Sequence, residues 1–359
     1  MNLTPIEKIA NAILYEGYIL YPYRASALKN RQRWNFGVVY PKAYSEAQKG
    51  TDAWFMQTEC LIRGSESSVA NIKVRFLQAV SCQMSAFPDS MGRLVDESQP
   101  TSESVEPRDG GNLPSWQEAV ERDVVISPLR LSDLLDAPIR QMFTFPSART
   151  LDPAKDDSFT VRRQEELAGC VEIRAVQSSS ALWRLTVVIS NLTPADTPHL
   201  LCRDEVLLKS LLSTHTVLAI AGGVFISMID PPAEGRAIAS ECKNVGTWPV
   251  LVRSEGDYIA MLSSPIILYD YPEIAPESPG DLFDGTEIDE ILALRILTLS
   301  DDEKREIRRG DDRAREILER TESMPAEHFM KLHGVLRGMR PIGETGNDGG
   351  NDAGQKDDR

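Results

Sequence analysis

The side chains best suited to binding chemistry lie near the start of the chain, in residues 14–40, LYEGYILYPYRASALKNRQRWNFGVVY. Arg24, Lys29, Arg31 and Arg33 stand there against a single carboxylate, Glu16, and Tyr15, Tyr18, Tyr21, Tyr23, Trp34 and Phe36 bracket them. Rings beside guanidinium groups can stack bases, hold a phosphorylated ligand or anchor a protein interface. The formal charge of −15 opposes nucleic acid and anionic membranes, because both need a positive footprint. Two readings stay open. The rings pack into the body while the cations pair with the chain's own acids, or Tyr21, Tyr23, Arg24, Lys29, Arg31, Arg33 and Trp34 form a protein-partner surface.

A second group is the carboxylate series Asp281, Asp284, Glu287, Asp289 and Glu290. Hard cations take oxygen ligands, so Asp281, Asp284 and Glu287 are the candidate metal ligands. Their spacing is not that of an EF-hand loop. Acids at a helix start also face the positive end of its dipole, which is the plainer account. The four histidines, His199, His215, His328 and His333, include no pair at i and i+4, and there is no H-E-x-x-H. The five cysteines are widely spaced without a C-x-x-C, so neither zinc nor a disulfide framework is expected. No G-x-S-x-G, Walker loop or G-x-G-x-x-G occurs, and Ala221-Gly222-Gly223 lacks phosphate-loop spacing. No nucleophile, base and orienter can be named together, so no enzyme activity and no cofactor is expected.

The elements that must position these groups are mostly strands. At 359 residues the chain has room for one large domain with an extension, or for two domains. Residues 4–14, TPIEKIANAIL, read as a short amphipathic helix with Thr4 capping and Pro5 in the first turn. Residues 34–40 read as a strand ended by Pro41. Residues 54–62 and 71–80 alternate like a two-strand ladder across GSESSV, the second strand half-buried with one slip in phase. A Pro-, Ser- and acid-rich loop at 88–115 precedes a strand at 116–126, and 131–138 read as a short helix capped by Ser132. Residues 171–176 and 182–191 form a hairpin with Val171, Ile173 and Ala175 on one face. A loop and short helix fill 193–214. Residues 215–230 are a buried strand pair or one bulged strand, and Gly222-Gly223 marks a turn or a close backbone approach. Strands at 246–252 and 258–270 complete eight to ten.

The pattern therefore predicts a mainly β, sandwich-like body over 1–270, with a short N-terminal helix and a C-terminal helical extension, α+β overall. A Pro-rich acidic linker is expected at 271–284, helices over 285–338 and a disordered tail at 339–359. Ser300 and Glu303 have capping-box spacing. The N-terminal residues lack the basic start and apolar core of a signal peptide, and the most apolar run, Val217–Ile229, is too short to cross a bilayer. A cytoplasmic protein without membrane insertion is expected.

Two segments, residues 11–41 (NAILYEGYILYPYRASALKNRQRWNFGVVYP) and 281–323 (DLFDGTEIDEILALRILTLSDDEKREIRRGDDRAREILERTES), carry a family resemblance. They resemble an uncharacterised bacterial family encoded beside [NiFe]-hydrogenase structural and maturation genes. The resemblance implies an accessory role in hydrogenase assembly, through contact with a hydrogenase subunit or maturation factor. It carries no catalytic residues over to this chain. The alternative from the residues themselves is a β-sandwich ligand-binding or hydrolytic protein with a pocket near Gly222-Gly223.

Overall fold

The structure is a computed structural model that describes residues 4–15, 36–86, 115–153, 158–253, 260–272, 296–309 and 312–323. The described residues are mainly β, and their organising element is one strand, β1 (Phe55–Ala86), 32 residues long. On one flank it pairs with β7 (Leu182–Asn191) from Phe55 to Arg63, then with β2 (Ser115–Arg130) from Val69 to Gln83. On the other flank β8 (Leu212–Ile226) runs opposite Leu61–Leu77, and β5 (Ser158–Gln164) opposite Val80–Ala86. The sheet continues from β7 to β6 (Leu167–Gln177) and β3 (Ile139–Phe145). From β8 it continues to β10 (Ala260–Ser264) and β9 (Trp248–Val252), and from β5 to β4 (Ala148–Pro153). Among the described residues every pairing is antiparallel, and all ten strands join in one sheet.

The expected ladder across GSESSV is overturned. Both halves belong to β1, and the polar residues form a bulge between the Gly64–Gly223 and Val69–Ala221 pairs. Reversing a strand tightly needs residues at positive φ, and Gly64 is not among those that have it. The stretch instead satisfies itself against β8. Ser68 Oγ accepts from the Ser65 N–H (2.9 Å) and donates to the Gly222 carbonyl (2.7 Å). Gly222 opposite it has φ +73°, which a side chain would resist. Residues 212–226 are accordingly one strand with a distortion at the glycines, and not two.

The sheet curls at this corner. Gln57, near the start of β1, exchanges backbone hydrogen bonds with Val245 just ahead of β9 (3.1 and 2.9 Å). Phe76, in the second half of the same strand, meets Phe143 and Phe145 of β3 with ring centroids 5.9 and 5.8 Å apart. The main core fills the enclosed face with Cys60, Ile62, Ile72, Val74, Phe76, Trp183 and Leu218 among others. The opposite face is covered by helices. Ile6, Ile9 and Ala10 of α1 (Thr4–Leu14) pack on Val217, Val250 and Leu262. Leu14 joins Tyr44 of α2 (Lys42–Ala47) and Val206 of α3 (Arg203–Leu207) over Leu77, Ala79 and Leu212. Ile238 of α4 (Ala233–Glu241) lies on Leu61 and Ile226. This two-sided cover explains the slip in phase: Ala79 and Val80 are both buried, one on each face.

Other stretches differ locally. Of the strand expected at 34–40, the described part makes one bridge, Val39 to Leu211, because Gly37 takes φ +58° and Pro41 starts α2. The expected helix at 131–138 is a single 3-10 turn, Leu131–Leu134, that buries its two leucines; Ser132 bonds Asp133 and caps nothing. Strands β3 and β4 and helix α4 go beyond the sequence expectation. Near the C-terminus α5 (Asp301–Arg309) and α6 (Asp312–Glu322) contact each other, tied by Lys304 and Arg308 to Glu322 at 3.1 and 2.6 Å. The Ser300–Glu303 capping box is present: the Ser300 N–H donates to the carboxylate (2.9 Å) and the Glu303 N–H to Ser300 Oγ (3.3 Å). The loop expected at 88–115, apart from Ser115, lies outside the described residues, as do most of the expected linker and the tail at 339–359.

Candidate functional site

A dense meeting of polar groups lies between α1, β1, β2 and β8. Arg75 sits directly opposite Asp123 of β2 on one side and His215 of β8 on the other. Its Nε donates to Asp123 Oδ1 (2.9 Å), Nη2 lies 3.5 Å from Glu121 Oε2, and Nη1 reaches Asn11 of α1. Lys73, two residues back on the same face, pairs with Glu7 of α1 (2.6 Å) and reaches Asp123 (3.8 Å). Tyr15 adds a hydrogen bond to Glu121 Oε1 (3.0 Å). Alternation along β1 puts both cations outward, and the i, i+4 spacing of Glu7 and Asn11 aims both at the sheet.

His215 is fully buried beside this network. Nδ1 lies 2.6 Å from the Ser213 carbonyl, which accepts a bond only if that nitrogen carries the proton. Nε2 is buried without a partner. Burial pushes the ring's pKa down to about 4, against the raising effect of the Ser213 carbonyl, and the Arg75 charge lowers it further. Ser213 Oγ and Thr216 Oγ1 have no hydrogen-bond partner, so no hydroxyl is activated by the imidazole. What this arrangement does is hold α1 on the sheet.

A second network lies on the β2–β1–β5–β4 arm. Glu118 accepts from Arg162 Nε (2.9 Å) and Trp116 Nε1 (2.9 Å), and Arg162 also bonds Asp152. These hydrogen bonds raise the Arg162 pKa above its ordinary value. Arg122 Nε donates to Gln78 Oε1 (2.8 Å), whose Nε2 donates to the Glu165 carbonyl (2.7 Å). Buried Glu59 is spent on the loop after α4 and on β7, accepting from Lys243 N (2.8 Å) and Thr186 Oγ1 (3.1 Å). Four of the five thiols are held protonated. Burial pushes Cys82 up to about 12 and Cys242 to about 11, and raises Cys60 and Cys170 as well.

The candidate partner residues Tyr21, Tyr23, Arg24, Lys29, Arg31, Arg33 and Trp34 lie outside the described residues, as do the candidate metal ligands Asp281, Asp284 and Glu287. Around Gly222 and Gly223 stands the backbone of β1. A Cβ on Gly223 would lie 2.9 Å from the Arg63 carbonyl oxygen and 3.4 Å from Gly64 Cα. That is the close backbone approach expected there, and it makes a strand corner. Among the described residues no group of His, Cys, Asp and Glu is arranged to hold a metal ion, and no helix is long and apolar enough to cross a membrane.

The feature with no sequence signal is a set of exposed apolar side chains beside β9. Asp270 accepts from the Leu251 N–H (2.8 Å) and from Ser227 Oγ (2.5 Å), and Ser227 Oγ in turn accepts from the Ile229 N–H (3.2 Å). The bonds tie the segments around Ser227 and Asp270 to β9, and Ile229, Ile267 and Tyr269 on those segments are exposed, Tyr269 at 86%. Only the pairing of a carboxylate with residues some 20 and 40 positions away ties these segments together. No protein-family model matches the chain, and no curated protein is significantly similar to it.

Proposed function

We propose that this chain is a non-catalytic accessory or scaffold protein that acts by protein–protein contact in [NiFe]-hydrogenase maturation or assembly, in the cytoplasm. The observation that carries the contact half of this reading is the disposition of reactive and apolar groups. Lys73, Arg75, Glu118, Glu59 and Arg162 are engaged in holding the fold, whereas Ile229, Ile267 and Tyr269 project from it. Exposed aromatic and aliphatic side chains are the kind that protein interfaces bury. The hydrogenase half rests on the resemblance of residues 11–41 and 281–323. We read the body as sandwich-like, with β1 passing through both layers at its bulge; the Phe76 contacts with β3 support that reading.

The test is affinity capture from hydrogenase-expressing cells with the full chain as bait. A hydrogenase subunit or maturation factor is expected among the captured proteins, and recovery of neither overturns the reading. Reversing the charges of Arg24, Arg31 and Arg33 should abolish capture with thermal stability unchanged. If those changes unfold the protein, the cations serve the fold.

A further inference from the structure

Four consecutive residues of β8, Ser213, Thr214, His215 and Thr216, are at most 3% exposed, and each has a buried side-chain polar atom without a partner. Buried polar groups in folded proteins are nearly always hydrogen-bonded, so a run of four needs a physical account. The atoms fall on both faces of the strand. Thr216 lies between Val74 of β1 and Ser263 of β10, on the core side, and alternation puts Thr214 on that side too. The Ser263 hydroxyl there already contacts Thr58 Oγ1 (2.7 Å) and Thr247 Oγ1 (2.8 Å), so this end of the core is lined with hydroxyls. His215 Nε2 lies on the helix side, and Ser213, within the bulge between the Arg75–His215 and Leu77–Leu212 pairs, takes a left-handed conformation (φ +47°).

We propose that the Ser213–Thr216 segment is an internal hydration site, holding ordered water against Thr214 and Thr216 on the core face and against His215 on the helix face. The donor and acceptor requirements select the ligand. Because Nδ1 carries the proton, His215 Nε2 can only accept and needs a donor. The threonine hydroxyls can each donate and accept, and beside Thr216 the hydroxyls of Ser263, Thr58 and Thr247 offer further lone pairs. A neutral molecule that donates and accepts at one point fits both faces. An anion or cation on the core face would lie among neutral hydroxyls and aliphatic side chains without a counter-charge, which desolvation forbids. Water with two to four such partners is the usual occupant of sites of this kind.

Water-to-protein magnetisation transfer on the full-length labelled protein tests this directly. Long-lived water contacts to the Thr214 and Thr216 side chains and to the His215 ring are expected, and their absence from all three overturns the proposal. Thr216→Val gives an independent measurement, because valine keeps the shape and removes the hydroxyl. If the hydroxyl binds water, the variant's unfolding constant rises about fivefold to tenfold. If the hydroxyl is merely stranded, removing it relieves the fold and the unfolding midpoint climbs, which refutes hydration there. Should the variant fail to fold, the water contacts of the unaltered protein decide.

Discussion

Replacing His215 with glutamine should remove a specific part of the protein's acid sensitivity. The imidazole is pushed from its ordinary 6.5 down to about 4 by burial, with Arg75 of β1 beside it. Glu121 and Asp123 of β2 and Glu7 and Asn11 of α1 are occupied by Arg75, Lys73 and Tyr15. Above about pH 6.5 the ring is neutral both folded and unfolded, so its contribution is full and constant. Between 6.5 and 4 the unfolded chain takes up a proton that the folded chain refuses, and stability falls as the pH falls. Below about 4 the ring protonates in place and the slope ends. At about 1.4 kcal/mol per pH unit, the loss between pH 7 and pH 4.5 is roughly 2.4 kcal/mol. Urea unfolding at pH 7, 6, 5 and 4.5 measures it as the difference in slope between the unaltered protein and His215→Gln, which cancels the shared titration of carboxylates. The variant's absolute stability is immaterial. Equal pH dependence in the two proteins would refute the burial argument.

Four substitutions examine the frame. Gly222→Ala should cost about 1 kcal/mol in chemical denaturation through its positive φ alone, since its Cβ meets nothing closer than 3.7 Å, whereas Gly223→Ala should cost more because the Arg63 carbonyl lies at 2.9 Å. Equal costs would mean the corner is not close-packed. Asn191 is fully buried and bonds the Val39 and Lys209 carbonyls and the Thr193 N–H, so Asn191→Leu should lower the unfolding free energy by roughly 3 kcal/mol and shift the thermal midpoint accordingly. Ser300→Ala should destabilise the start of α5 by about 1 kcal/mol, read as greater amide exchange in its first turn with the sheet amides unchanged.

Some of this molecule is written locally. Residues 4–14 carry their helix in the spacing of Ile6, Ile9, Ala10 and Ile13, and Ser300 with Glu303 carries the cap of α5, because both depend on neighbours a few positions away. The β6–β7 hairpin is legible for the same reason: Val171, Ile173 and Ala175 alternate with polar residues, and a serine turn joins the strands. The corner of β1 was not. GSESSV has the composition of a turn, and only Gly222 and Gly223, some 155 residues away, make it a bulge by accepting Ser68 against their backbone. Likewise, no pattern around His215 announces a buried neutral imidazole. Its state follows from Arg75, α1 and the core assembled around it, and desolvation is a property of that assembly. Local spacing determined which segments alternate and which wind, because hydrogen-bond geometry repeats over two or 3.6 residues. The tertiary structure decided where the chain turns back and which polar groups are committed, because burial and charge pairing depend on residues brought together from distant parts of the chain.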